Sequence, residues 1–381
     1  MAVYRDLVDG GSYDLREPRW QSPAGRPLWI DPGNGLAPAD LDHSARSIWR
    51  YRAALPVEIP QPLSLGEGHT PLVEHSWQAG QRPLFKLDYL NPTGSFKDRG
   101  TSVMLSYLRD RGVTSIVEDS SGNGGASAAG YGAAGGLDVK IVAPASTSPG
   151  KIAQVQAFGA EVQLVDGPRQ ASQDEAIRQA SGKVFYASHN WQAFFLQGTK
   201  TLAYELWEDL GFHAPDQVIV PVGAGSTLLG CWLGFQELLA AQQIDKMPRL
   251  FAAQPRNCSP VDASFRSSTA QPVAREVKPT IAEGTAIARP LRLAQMISAL
   301  RETNGGSVAV TEAEIVEALR QLCRGGLFVE PTSAVAAAAY TILTEHGIIS
   351  GCDTTVVLLS GSGLKAASTI ISLLESGAKA S

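Results

Sequence analysis

The segment NPTGSFKDRG, Asn91 to Gly100, sets Lys97 between Phe96 and Asp98. Turn residues come just before it and an apolar run follows soon after. The pattern predicts a lysine at the mouth of a helix. There the positive end of the macrodipole disfavours an ammonium and lowers its pKa. A lysine that gives up its proton easily is a nucleophile, and nucleophilic lysines form Schiff bases with aldehydes. A solubilising surface lysine is the plainer alternative, because most lysines are exposed. The helix-mouth position argues against it.

Three further segments carry polar or small residues where chemistry needs them. In PVGAGSTLLG (221–230) an apolar run ends in small residues and a helix begins. Backbone N–H groups at such a helix start converge on an anion, and the hydroxyls of Ser226 and Thr227 add donors. A glycine turn that only packs a strand against a helix is the alternative, and GxG alone does not decide between them. No GK[ST] follows, so it is not a Walker loop. In EDSSGNGG (118–125) Asn123 offers both a donor and an acceptor to a ligand oxygen. Its serines and the helix start can receive a carboxylate; a turn with a simple helix cap is the commoner use of each piece alone. SGSGLK (360–365) places Ser360 in a third small-residue turn. A Schiff-base lysine, an anion-binding turn and a polar group for a ring oxygen together describe pyridoxal phosphate.

These pieces need a scaffold that brings loops to one place. Short β-branched runs (115–121, 161–167, 217–226, 354–363) alternate with alanine-rich helical stretches. That alternation predicts an α/β fold with mostly parallel, open twisted sheets. Ligands in such sheets sit beyond the carboxyl ends of strands. The Gly/Ser/Asn clusters at 119–125, 223–227 and 360–363 fall at those ends. TEAEIVEALRQLCRGG (311–326) reads as a helix with a Thr cap and a capping box. The 381 residues suffice for two domains with ample cores, with 44% hydrophobic and 18% charged residues. A net charge of -5 without a long basic run makes nucleic acid an unsuitable partner. The four cysteines are far apart and form no CxxC pair, which speaks against a metal site or disulfide framework and suits a reducing compartment. The N-terminus is too polar for a signal peptide and no apolar run is long enough to cross a membrane. A cytoplasmic location is the expectation.

NPTGSFKDRG, SSGNGG, PVGAGS and SGSGLK, in this order, resemble the threonine synthase branch of the fold-type II pyridoxal-phosphate enzymes. WRYRAALP…SLGEGHTPLV (49–73), NWQAFFLQGTKTLAYELWE (190–208) and GGLFVEPTSAVAAAA (325–339) resemble further family segments, so the likeness spans residues 47–365. Lys97 and Asn123 are 26 positions apart, as the family leads one to expect. The resemblance implies a two-domain, tryptophan synthase β-like fold with pyridoxal 5'-phosphate in the interdomain cleft. It implies elimination or replacement at Cβ or Cγ of a small L-amino acid. Lys97 would form the Schiff base and shuttle protons, Asn123 would contact the ring hydroxyl oxygen, and Gly223, Ala224, Gly225, Ser226 and Thr227 would cradle the phosphate. Ser360 would face the pyridine nitrogen, where a hydroxyl leaves a weaker electron sink than a carboxylate does. Ser120, Ser121 and Gly124 would border the substrate α-carboxylate.

The sequence departs from the branch at informative places. Gly124 stands where a threonine is usual, and Ala193, Phe194, Phe195 and Leu196 stand where an arginine usually precedes the GQKT segment, here GTKT with Thr199. These changes remove polar and cationic groups at the place where a phosphorylated substrate is held. Two readings follow: a threonine synthase-like enzyme, or a replacement enzyme or ammonia-lyase acting on a non-phosphorylated amino acid, with His189, Asn190 and Phe194 shaping a less charged pocket. A non-catalytic cofactor- or nucleotide-binding protein is a third class. It is disfavoured because GAGS lacks the third glycine of GxGxxG and the acidic ribose ligand. RDLVDGG and WQSPAGRPL resemble a zinc ribbon that has lost its cysteines, so no metal is expected there. The expected division is an N-terminal arm (1–50), a large cofactor-binding domain (51–96 with 205–381) and a small mobile domain (97–204). A homodimer is expected from the resemblance.

Overall fold

A computed structural model of the chain describes residues 2–378 apart from 146, 148, 168 and 181. The expected large domain therefore ends in three residues, 379–381, outside the described ones. Two compact units form: Met1–His69, Asn91–Leu202 and Gln236–Ala241 make the first; Thr70–Leu90, Ala203–Phe235 and Gln242–Ser381 make the second.

The first unit holds a parallel sheet of four strands in the order Glu161–Val165, Asp138–Pro144, Ser115–Glu118, Val184–Tyr186. Helices Lys97–Asp110 and Asn123–Gly135 run in the same unit. Lys97 is the first residue of its helix, as the turn-then-apolar pattern predicts. Asp98 follows in the first turn and is fully buried. Its carboxylate accepts from Thr93 N (2.7 Å), Thr93 Oγ1 (2.6 Å) and Ser127 Oγ (2.6 Å). A carboxylate there complements the helix dipole, and the Ser127 bond ties the Lys97 helix to the helix that follows the SSGN turn.

The N-terminal segment does not stand apart as an arm. Its three-stranded antiparallel sheet, in the order Ser12–Asp14, Val3–Arg5, Trp29–Ile30, shares one apolar core with the Lys97 helix. Tyr4, Leu28, Ile30 and Trp49 pack with Leu105, Tyr107 and Phe194. Tyr4 Oη donates to Tyr107 Oη (3.0 Å), and Tyr107 Oη donates to Leu15 O (2.8 Å). Burial pushes the Tyr107 phenol up to about 12. The first unit thus runs through residue 69, resumes at 91 and continues to 202. Burial of apolar side chains scattered through an irregular segment, rather than local periodicity, decides where it belongs.

Where the ribbon-like segments come together, a cation sits among acids. Arg26 Nε donates to both carboxylate oxygens of Asp6 (3.0 and 2.8 Å), and Arg26 Nη2 pairs with Asp9. Asp6 and Asp9 have the spacing of the first cysteine pair of the resembled ribbon. A guanidinium thus ties the two halves of the segment together. Burial would raise the Asp6 pKa, but hydrogen bonds from Ser22, the Val8 N–H and Arg26 outweigh it and hold Asp6 below its ordinary value. A depressed carboxylate stabilises the fold above its unfolded pKa and loses that contribution as pH falls through the folded value. Arg26→Met is therefore expected to make the segment more susceptible to proteolysis at neutral pH. The difference from wild type should close below about pH 4, where carboxylates protonate. Limited proteolysis across pH measures it; a difference independent of pH would refute the assignment.

The second unit holds a six-stranded sheet in the order Gly306–Val310, Arg249–Pro255, Gln217–Pro221, Thr355–Leu358, Leu84–Lys86, Leu72–Glu74. All neighbours are parallel except the last pair. Helix Glu312–Arg324 begins at the Thr311 cap, with the reciprocal Thr311–Glu314 bonds of a capping box. The alanine-rich helix Pro331–Glu345 is buried along most of its length, which explains a composition without an amphipathic face. The four cysteines are free. Among the described residues no helix is long and apolar enough to cross a membrane.

Candidate active site

In the first unit the expected residues gather at the carboxyl ends of two adjacent parallel strands. Strand Ser115–Glu118 runs into Asp119, Ser120 and Ser121, and Asn123 opens the next helix. Strand Val184–Tyr186, its neighbour, leads to His189 and Asn190. The Ala187 N–H donates to Val117 O (2.9 Å), so the two strand ends stay in register up to the loops. A side chain at position 124 would put its Cβ 2.8 Å from His189 Nδ1 and 2.9 Å from Ser120 Oγ. Gly124, His189 and Ser120 are therefore immediate neighbours. Glu118, which the sequence reading did not single out, accepts from His189: Nδ1 lies 2.6 Å from Oε1, and the backbone N–H lies 3.2 Å from Oε2.

Lys97 Nζ lies over two aromatic faces, 4.5 Å from the Phe96 centroid and 5.7 Å from that of Phe195. The His189 ring also packs on Phe195, with centroids 5.7 Å apart. Phe195 is therefore the member of the aromatic pair that meets the lysine. Phe194, expected to shape a substrate pocket, is placed differently. It stacks on Tyr107 at 3.6 Å and meets Tyr4 edge-on, fully buried in the core of the unit. Successive helical residues point about 100° apart, so one of the pair faces the site and the other the core.

Three buried polar atoms here have no hydrogen-bond partner among the described residues: Ser95 Oγ, two residues before Lys97, Ser188 Oγ and Asn190 Oδ1. A buried unpaired polar atom costs about 1–3 kcal/mol. Ligand groups at these atoms would offset that cost. None of these signals is visible in the sequence, since Ser and Asn are common in turns.

In the second unit the same logic recurs. Strand Gln217–Pro221 ends, and helix Ser226–Ala240 starts five residues later. Gly225 has φ +88°, and a Cβ on it would meet Met296 Sδ at 2.0 Å. A Cβ on Gly223 would come 3.0 Å from Gly284 O. Side chains are excluded at positions 223 and 225 of this turn, and Ser226 and Thr227 are buried at the helix start. Helix Leu293–Glu302, which carries Met296, begins after Arg292, a buried guanidinium that desolvation pushes down to about 10. Strand Thr355–Leu358 pairs with Gln217–Pro221 and leads to Ser360. Ser333 Oγ lies 3.4 Å from Ser360 Oγ, and the Gly361 N–H donates to Ser333 Oγ (3.0 Å). The EPTSA segment thus holds the Ser360 turn. Within the second unit, a turn of small residues at a helix N-terminus fits a phosphate group; within the first, a lysine at a helix start fits Schiff-base chemistry with an aldehyde.

Comparison with known proteins agrees with this chemistry. The chain belongs to the family described as pyridoxal-phosphate dependent enzyme, whose pattern matches residues 63–361. Within it, the chain is threonine synthase-like. It is 35% identical to the threonine synthase of Methanocaldococcus jannaschii over 84% of this chain and 80% of that one. It is 31% identical to the threonine synthase of Methanosarcina acetivorans over 86% of this chain and 82% of that one. An L-serine ammonia-lyase from Rhizomucor miehei shares the fold, with a TM-score of 0.72 at 21% identity, over 83% of this chain and 99% of that one. The chain is a fold-type II, pyridoxal 5'-phosphate-dependent lyase acting on a small amino acid by elimination or replacement.

Proposed function

We propose that Lys97 is the cofactor lysine and the carrier of the Cα proton in a threonine synthase-like elimination from a small L-amino acid. The observation that carries this is the seat of Lys97 at the first residue of a helix tied, through Asp98 and Ser127, to the helix of the SSGN turn. Bound pyridoxal phosphate supplies the electron sink that acidifies the substrate Cα–H. The chain's own residues do the rest. Ser120, Ser121 and the backbone at Gly124 hold the α-carboxylate at a helix start. Asn123 holds the ring hydroxyl oxygen. Gly223, Ala224, Gly225, Ser226 and Thr227 hold the cofactor phosphate with backbone N–H groups and hydroxyls. Ser360 meets the ring nitrogen with a hydroxyl, which suits elimination over chemistry that needs a protonated ring. Asn190 Oδ1 is an acceptor for a substrate donor.

A second reading, that the substrate carries no phosphate, is favoured by one observation. Where the branch usually has an arginine, both phenylalanines are buried in aromatic contacts and leave no cation at that position. A panel of L-serine, L-threonine and O-phospho-L-homoserine, followed by spectral shift of the bound cofactor and by product analysis, separates the two. Threonine formed from O-phospho-L-homoserine at an ordinary enzymatic rate, about 1–10³ per second, supports threonine synthase activity. Turnover confined to the other substrates supports the second reading. A cofactor spectrum that no amino acid changes would overturn the function itself. We further propose a cytoplasmic homodimer, on the strength of the free cysteines and the family resemblance; sedimentation analysis tests the dimer.

A further inference from the structure

Glu118 and His189 are 71 residues apart in sequence and meet across adjacent strand ends. Glu118 is 1% exposed and His189 is 6% exposed. Glu118 holds the ring by Nδ1 at 2.6 Å and the backbone N–H at 3.2 Å. The other ring nitrogen, Nε2, makes no hydrogen bond among the described residues and lies on the far side of the ring from the carboxylate. The ring edge Nδ1–Cε1 fills the space that a side chain at 124 would occupy, at 2.8 and 2.9 Å from its Cβ. The threonine usual at that position would collide with the imidazole. Gly124 is thus the counterpart of His189: the site exchanges a hydroxyl for an imidazole. Phe195 lies under both the imidazole and Lys97 Nζ, each 5.7 Å from its centroid.

We propose that His189, held by Glu118, is the acid that protonates the leaving group, while Lys97 handles the Cα proton. This rests on the reading of Lys97 as the cofactor lysine. In the resting state the pair carries two protons, one between Nδ1 and Glu118 Oε1 and one on Nε2. As the bond from Cβ or Cγ to the departing heteroatom breaks, its electron pair leaves with that atom, and the Nε2 proton passes to it. The pair is left as imidazole with Nδ1–H on the Glu118 carboxylate, and solvent returns the lost proton after product release. His189 is the catalytic residue in this step and Glu118 a positioning residue. Burial disfavours both charged forms: it lowers the imidazole pKa well below and raises the Glu118 pKa well above their ordinary values. The charged groups facing the pair are Lys97 and Arg169, which oppose a proton on the imidazole and favour the carboxylate, and Asp119, which raises Glu118. Asp119 in turn accepts from Tyr186 Oη at 2.8 Å.

The test uses His189→Gln and Glu118→Gln, the second of which preserves volume and an acceptor for the ring. Each is compared with wild type on the best hydroxyl- or phosphate-bearing amino acid of the panel, and on β-chloro-L-alanine, whose chloride departs without a proton. The expected result is a loss of about 10²-fold in kcat for the first substrate. The loss on β-chloro-L-alanine should stay within about threefold on the same scale of effects. Exchange of the Cα proton with deuterium oxide should persist. ¹⁵N NMR of the imidazole in the cofactor-free protein supplies a readout independent of turnover: Nε2 should carry a proton in wild type and lose it in Glu118→Gln at the same pH. Equal losses on both substrates, unchanged turnover of the first, or an Nε2 that carries no proton in wild type would overturn the proposal. Failure of the underlying reading looks different: wild-type cofactor would not be trapped on Lys97, and Cα exchange would be absent.

Discussion

Lys97→Ala is expected to abolish covalent attachment of the cofactor and to lower turnover by about 10⁴-fold or more, since it removes both a nucleophile and a proton carrier. Borohydride reduction of wild type should fix the cofactor on the peptide that contains residue 97, and reduction of the variant should leave it releasable. Two fully buried lysines have structural work. Lys86 Nζ sits between Glu205 (2.7 Å), Asp209 (2.6 Å) and the Thr70 carbonyl (2.6 Å). Lys200 Nζ, in the GTKT segment, bonds Glu237 and the Ala54 carbonyl, each at 2.8 Å. Removing either leaves buried carboxylates short of a cation, which costs about 3–5 kcal/mol. Lys97 is half-buried at the first position of its helix, where alanine is well tolerated, so the alanine variant should keep its circular dichroism while losing chemistry. Trapping that persists in the variant would remove Lys97 from its role.

Gly198→Ala is expected to be a severely damaging small substitution in the first unit. Helix Ala193–Thr199 crosses the Lys97 helix so closely that a Cβ at 198 would lie 2.2 Å from the Arg99 carbonyl oxygen and 2.7 Å from Gly100 Cα. Both obstacles are backbone, so no side-chain rotation relieves them. Overpacking a core commonly costs 1–3 kcal/mol, and a backbone clash places this case at about 3 kcal/mol or above. The same contact seats Phe195 against Gly100, where a Cβ would meet the ring at 2.5 Å. The variant should therefore lose stability and, in whatever folded fraction remains, bind the amino acid less well, because Phe195 underlies both Lys97 and His189. Urea denaturation and substrate titration of the holoenzyme measure the two effects. A wild-type midpoint would show that the helices separate easily and that the crossing does not position the lysine.

Features that depend on a few neighbouring residues were legible in the sequence. The helix start at Lys97, the Thr311 capping box, the Gly223–Thr227 turn and the parallel α/β alternation all follow from local preference and short-range hydrogen bonding. What the first fifty positions pack against was not legible, because their apolar residues follow no helical or strand period and only the partner surface shows what they bury. Phe194 and Phe195 were indistinguishable for a similar reason: adjacent aromatics differ only in which way the helix turns them, and helix rotation is set by packing against Tyr107 and Gly100. Glu118 ended an ordinary strand and gave no sign of a role.

By itself, then, the sequence determined the cofactor and the kind of scaffold, because a lysine at a helix mouth and a glycine turn at a helix start are built from contiguous residues. The tertiary structure decided what surrounds the lysine. The order of strands in the sheet sets Val184–Tyr186 beside Ser115–Glu118, and that pairing alone brings His189 onto Glu118 and into the space left by Gly124. Strand order is chosen by the burial of the whole sheet rather than by any short segment, which is why the acid proposed for the leaving group could be read only from the fold.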